Sequence, residues 1–318
     1  MGEEPRPRSG VLTFGEALVG YASGQASLAA ATAFTRFLGG ADLNVAVGLG
    51  RLGVRATYAT VLGEDAHGDF AAARLDELEV PALLRRAPGP TAVMFKAGAG
   101  TGDPEVLQFR HDTAFARGAG AVVPEVSDLL RRVAHVHLTG ITLGVSAATR
   151  EATLLLLDAA RSAGCTVSFD PNLRLPLWPD RDEMRKVVNG VAARADVVLP
   201  GAAEARLLTG TDDPEEVMAF YCGRGAGEVA VKLGAEGAAG GSLGAEVVRS
   251  RRFPVRPVDS VGAGDGFAAG YLAGMLAGEG FQDRLDRAAA VGALVTTRAG
   301  DLDAMPSRAE VDALLRSR

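Results

Sequence analysis

From Val133 onward, short apolar runs alternate with longer segments of helical period, and this alternation restricts the fold more than any other feature. Strands are expected at Val136–Thr139, Thr166–Asp170 and Asp196–Leu199, helices at Ser146–Ala163 and Asp182–Ala193, and a short helix from Ala202. Strands joined through helices cannot be hairpin partners. They lie parallel, and a parallel sheet needs cover on both faces. The expected fold class is α/β, with ligand contacts at the carboxyl edge of the sheet, where Glu16 follows a first strand over 11–14.

The second constraint is Asp259-Ser260-Val261-Gly262-Ala263-Gly264-Asp265-Gly266-Phe267-Ala268-Ala269-Gly270. A Gly-Ala-Gly turn running into a small-residue helix exposes backbone N–H groups at a helix start, where an anion is held without side chains. Asp265 is the only charge between Asp259 and Glu279. It either caps the helix or takes a proton from a hydroxyl that attacks a bound phosphoryl group. Gly262, Gly266, Gly270, Gly274 and Gly278 recur every fourth residue, like the small-residue face of paired membrane helices. Asp265 interrupts the run and leaves fewer than the roughly 20 apolar residues a bilayer requires. The glycines are expected instead to admit another backbone or a nucleotide.

Other segments offer polar groups near expected strand ends or helix starts. Gly39-Gly40-Ala41-Asp42-Leu43-Asn44 opens a helix with two glycines ahead of it and Asp42 and Asn44 in its first turn; Asp42 either caps that helix or meets a hydroxylated ligand. The segment from 17 to 38 reads as a flap of short strands or an irregular loop, and 91–97 with 105–110 as a strand pair ending in Arg110. Arg110 is either a solvated edge charge or a clamp for a carboxylate, and Arg174, after Asp170-Pro171-Asn172-Leu173, is a second such candidate. Glu204 follows Pro200-Gly201 as a first-turn helix acid, and Lys232 stands at the end of a strand that starts at Val229 and runs into a glycine-containing turn, where it would face phosphate if a nucleotide lies there. His135 and His137 share one strand face without a carboxylate or cysteine at ligand spacing, so no metal site is expected there.

Two nucleotide motifs are excluded. Gly48-Leu49-Gly50-Arg51-Leu52-Gly53 matches G-x-G-x-x-G but follows a helical pattern and precedes a strand, the reverse of the dinucleotide fold, and no G-x-x-x-x-G-K-[ST] occurs. Among 318 residues, 47% are hydrophobic and 23% charged, as in globular proteins, and the net charge of -6 argues against a nucleic-acid groove. Cys165 and Cys222, without C-x-x-C spacing, suit a reduced, cytoplasmic setting. Residues 1–9 are polar, lack the apolar core of a signal peptide, and are expected to form a flexible tail ahead of one domain over 10–318.

Together these motifs resemble the ribokinase-like, PfkB-type carbohydrate kinases over nearly all of the chain. Gly15-Glu16, His137-Leu138-Thr139-Gly140-Ile141-Thr142 and Asp170-Pro171-Asn172-Leu173-Arg174 most resemble 2-keto-3-deoxygluconate kinases. The resemblance implies a three-layer α/β/α fold with a mostly parallel central sheet and a small β-sheet lid from about 16–38 and 91–112. It implies ATP and Mg2+ as cofactors, a small sugar or sugar acid as substrate, no nucleic-acid or membrane partner, and a homodimer formed through the lid. Asp265 is then the base for a primary hydroxyl, with the backbone of Gly262, Ala263 and Gly264 around the phosphoryl group. Sugar contacts fall on Gly40, Ala41, Asp42, Asn44, Arg110, Arg174 and Asp301, nucleotide contacts on Lys232, Gly234, Glu236 and Gly237, and a water-mediated magnesium contact on Glu204. Met94 and Gln108 stand where the ketodeoxygluconate kinases have tyrosines, Gly201 where an Asn or Ser is usual, and Ala289 where an Asn is often found. A fructokinase or other ketose kinase, and a catalytically idle sugar or nucleotide sensor, are the competing readings.

Overall fold

The structure, a computed structural model, describes residues 8–98, 105–300 and 302–317. Among these residues the strands are, in chain order, β1 (Val11–Phe14), β2 (Leu18–Ala22), β3 (Thr35–Gly39), β4 (Ala56–Gly63), β5 (Ala82–Ala87), β6 (Ala92–Ala97) and β7 (Glu105–Phe109). They continue as β8 (His135–Thr139), β9 (Thr166–Asp170), β10 (Val197–Val198), β11 (Glu228–Lys232), β12 (Ala238–Ser242) and β13 (Val248–Arg249). Nine form one sheet in the order β13-β12-β11-β10-β9-β8-β1-β4-β5, parallel except at β12 and β13. The other four form a separate sheet, β3-β2-β6-β7.

Alternation along β1 explains the layers. Leu12 and Phe14 enter a core under the helices Ala147–Ser162 and Arg181–Ala192, whereas Val11 faces the opposite core, beneath Ala41–Arg51, Ala263–Leu276 and Phe281–Val295. Ser146 fixes the start of one cover helix by accepting the Thr149 amide at 3.0 Å, and Asp180 starts another by accepting from Asp182 and Glu183. β1 lies between β4 and β8: the chain first adds β4 and β5 on one side of it, then β8 to β11 on the other. That reversal opens a crevice at the carboxyl ends of the strands.

The glycine repeat finds its reason in helix packing. A β-carbon on Gly270 would lie 2.9 Å from Ala288 Cα and 3.1 Å from the Arg287 carbonyl, and one on Gly266 would lie 2.7 Å from Val295 Cγ2. Gly274 likewise faces Arg284. The stripe lets helix 281–295 lie against helix 263–276 at backbone distance. Among the described residues no helix is long and apolar enough to cross a membrane.

Several elements escape the sequence reading: β5, the helices between Ala114 and Leu130, and those at Gly140–Val145, Pro214–Cys222 and Arg308–Arg316. Residues 1–7 of the expected tail lie outside the described residues. Arg8 and Ser9 are anchored, with the Arg8 guanidinium donating to the Ala163 carbonyl and the Ser9 amide to Arg132.

Candidate active site

Strand ends and helix starts converge on Asp265. It sits in the first turn of helix 263–276, whose N-cap, Gly262, is left-handed at φ 80° and carries no side-chain cap. A β-carbon is strained in that conformation, so glycine is what lets the chain turn directly into the helix. Asp265 is buried, and its two oxygens are held from opposite sides: Asn44 Nδ2 donates to Oδ2 at 2.7 Å and Asn172 Nδ2 to Oδ1 at 3.1 Å. Burial pushes its pKa up to about 7; the Asn44 hydrogen bond opposes this, Asp170 adds to it, and Arg174 and Lys232 pull it down. The group is poised to exchange a proton near neutral pH.

Asp265 borders a cavity of about 520 Å³ together with Gly40, Ala41, Asn44, Arg110, Arg174 and Gly262. The small sheet forms the facing wall through Met94, Lys96 and Gln108. Met94 and Gln108 are register partners, and Gln108 Nε2 lies 3.4 Å from Met94 Sδ. Arg110 is neither a solvated edge charge nor isolated: it is 3% exposed, and its Nε donates to Glu16 Oε2 at 2.7 Å. Thr113 Oγ1 donates to the other oxygen of Glu16 at 2.8 Å. Glu16 therefore orients Arg110 toward the cavity rather than lining it. Arg174 is exposed at the mouth.

Asp42 takes a different place from Asn44. It is 3% exposed and is not among the cavity-lining residues; Oδ2 accepts from Thr139 Oγ1 at 3.0 Å, and Oδ1 has no hydrogen-bond partner among the described residues. Burial raises its pKa well above the usual carboxylate range. It does not cap its helix either, since Gly40 is the N-cap and no side chain bonds there. Asp301, the remaining sugar candidate, lies outside the described residues.

On the other side of Gly262, Lys232 Nζ pairs with Asp170 Oδ2 at 2.5 Å, and a β-carbon on Gly264 would lie 3.5 Å from that ammonium. The opposing Asp170 and Glu204 charges raise the Lys232 pKa despite its burial. Gly234 and Gly237, both at positive φ, turn the chain beyond Lys232, and Glu236 is exposed and paired with Arg252. Glu204 accepts the Gly201 amide at 2.7 Å on one oxygen and the Leu173 amide at 2.6 Å on the other. Burial raises its pKa, with Lys232 acting against this.

Asn172 and Asp170 are the site residues that sequence reasoning passed over. Asp170 Oδ1 accepts the Asn172 amide at 3.1 Å, which helps to turn Asn172 into a left-handed conformation and its side chain toward Asp265. The Asp-Pro-Asn signal was visible, but its target lies 93 residues away. His135 and His137 both bond Ser168 Oγ at 2.7 Å, and burial drives their pKa values to about 3, so they are neutral sheet residues. Gly48 to Arg51 form the end of a helix rather than its start, unlike a dinucleotide loop.

The pfkB family carbohydrate kinase profile matches residues 9–308. The chain is 37% identical to the 2-dehydro-3-deoxygluconokinase of Bacillus subtilis (strain 168) over 308 residues, 96% of this chain and 94% of the relative. A PfkB protein from Polaromonas sp. JS666 superposes with a TM-score of 0.86 at 38% identity, covering 96% and 99% of the two chains. A fructokinase with bound ATP from Xylella fastidiosa gives 0.85 at 28% identity, covering 96% and 98%. A profile spanning nearly the whole chain and relatives of matching length and fold leave one assignment: the chain belongs to the pfkB family of carbohydrate kinases and is an ATP-dependent sugar kinase of ribokinase-like fold.

Proposed function

We propose that the protein transfers the γ-phosphoryl group of ATP to a primary hydroxyl of 2-dehydro-3-deoxygluconate (2-keto-3-deoxygluconate) or a similar sugar acid, with Asp265 as the base. The carrying observation is that Asp265, held by two amides beside an uncapped helix start, shares one cavity with Arg110 and Arg174. A sugar lying against Gly40, Ala41 and Asn44 would turn its carboxylate to the two guanidinium groups, which suit planar oxygen pairs. Its hydroxyl would give up a proton to Asp265 as the bond to phosphorus forms. The backbone N–H groups at Gly262, Ala263 and Gly264 would meet the charge on the transferring group.

Lys232 and the 234–237 turn extend this anion-binding surface away from the sugar cavity, which supports the nucleotide lying there. Mg2+ fits as an ion held chiefly by phosphates and water. Among the described residues no group of three or more His, Cys, Asp or Glu could hold a metal ion, and Glu204 spends an oxygen on each of two amides while keeping lone pairs for a metal-bound water. The ion would neutralise phosphate charge. The homodimer fits the small sheet, whose edge strand β7 exposes Val106, Leu107 and Phe109; light scattering on the purified protein tests it.

Met94 and Gln108 in the cavity wall favour a second reading, a ketose substrate such as fructose. Sugar-dependent ADP release across 2-keto-3-deoxygluconate, fructose, ribose and nucleosides, with Asp265→Asn beside the wild type, decides between them. Turnover on the acid that weakens sharply in Arg174→Ala supports the first reading. Preference for fructose with indifference to Arg174 supports the second, and no turnover on any sugar leaves a binding protein.

A further inference from the structure

The sugar cavity and the anion seat are joined by an ion pair that the proposed chemistry does not use. Lys96 lies on β6 two residues after Met94, so the two side chains share a face, and both line the cavity. Lys96 is 6% exposed; its Nζ lies 3.4 Å from Asp259 Oδ2 and 5.0 Å from the centre of the Phe37 ring on β3. Asp259 spends its other oxygen on the amide of Val261, at 3.0 Å. Val261 precedes Gly262, whose left-handed turn starts the helix that bears Asp265. One carboxylate thus links a charge on the small sheet to the backbone of the phosphoryl site.

We infer that Lys96 is a positioning residue that couples occupancy of the sugar cavity to the geometry of the 259–264 loop. The inference rests on the sugar-kinase reading. A sugar pressed against Met94, Gln108 and Lys96 confines the ammonium above Asp259. The confined pair holds the Val261 amide, and with it the direction of the N–H groups at Gly262 to Gly264. Both side chains are almost wholly buried, so solvent screens the pair little, and replacing Lys96 takes its ammonium away from the Asp259 carboxylate.

The test compares Lys96→Met, Lys96→Arg, Asp259→Asn and the double variant Lys96→Met/Asp259→Asn, using 2-keto-3-deoxygluconate and, in parallel, fructose. Steady-state kinetics are paired with amide hydrogen exchange across 259–265. Each single loss is expected to lower kcat about tenfold while KM for the sugar moves less than threefold. The double variant should fall no further than the worse single, because the two residues act as one unit, and Lys96→Arg should recover most of kcat. Sugar should slow exchange at Val261 in the wild type and in Lys96→Arg but not in Lys96→Met. A rise in KM alone, a roughly hundredfold loss in the double variant, or full protection in Lys96→Met overturns the coupling. If Lys96→Met does not fold, Asp259→Asn carries the exchange readout, and protection retained there has the same force. A wild type that turns over without loop protection refutes the coupling and leaves the kinase reading intact; protection without ADP release on either sugar does the reverse.

Discussion

Asn172 donates its side-chain amide to Asp265 Oδ1 at 3.1 Å from a backbone held at φ 36°, a conformation that asparagine tolerates better than most residues. Backbone and amide are separable by substitution. Asn172→Gly keeps the turn and loses the bond, so its unfolding midpoint should stay near that of the wild type while kcat/KM falls about tenfold, the value of a hydrogen bond to a charged group. Asn172→Val should lose both, which denaturant unfolding would reveal.

Removing the proposed base, Asp265, should be far more damaging. Asp265→Asn is nearly isosteric, and kcat is expected to drop by about 10²–10⁴ with KM for ATP little changed. Coupled-assay ADP release measures it; a loss below threefold would show that Asp265 holds Asn44 and Asn172 in place and is not the base.

The raised pKa of Asp265, about 7, has a definite sign in activity. The base works ionised, so kcat/KM should fall tenfold per unit as pH drops below about 7. Asn44→Ala removes the hydrogen bond that lowers this pKa and should move the acidic limb to higher pH. For stability the sign is opposite: a carboxyl with a raised folded-state pKa contributes stability that is fully present below about 4 and lost as pH rises through 7. Thermal melts of the wild type should therefore lose this contribution between those values.

The Arg110–Glu16 pair is buried on both sides, at 4% and 1% side-chain exposure. Arg110→Ala would strand the carboxylate of Glu16 and should cost about 3–5 kcal/mol in urea unfolding, with KM for a sugar acid rising as well. Arg110→Ala/Glu16→Gln should recover most of the stability but not the KM, which separates the folding role from the binding role.

Gly270→Ala tests the helix contact. A β-carbon there meets backbone at 2.9 and 3.1 Å, which no rotamer relieves, so the variant should lose about 1–3 kcal/mol despite the higher helix propensity of alanine. Gly50, with nothing within 4 Å, should tolerate alanine or gain stability.

The alternation after Val133 announced the parallel sheet because burial on both faces writes itself into composition as continuous apolar runs. The Gly262-Ala263-Gly264-Asp265 turn was legible for the same reason: its constraint is local, a left-handed glycine and a helix start contained in four residues. β5 was missed because Ala82–Ala87 carries two arginines and is only partly buried along its length, so its strand state comes from pairing with β4. The early glycine pair was read correctly as a helix start, yet nothing local distinguished Asn44, which reaches the site, from Asp42, two residues earlier, which lies behind it.

What the sequence determined by itself was the class of fold and the uncapped helix start that carries Asp265, the proposed base, since each follows from hydrophobic period or backbone conformation over short spans. The tertiary structure alone decided which side chains hold that base, that Glu16 spends its charge on Arg110, and that Lys232 and Asp170 pair beneath Gly264. Those are contacts across 62 to 221 residues of chain, and partners so distant meet only after the sheet has assembled.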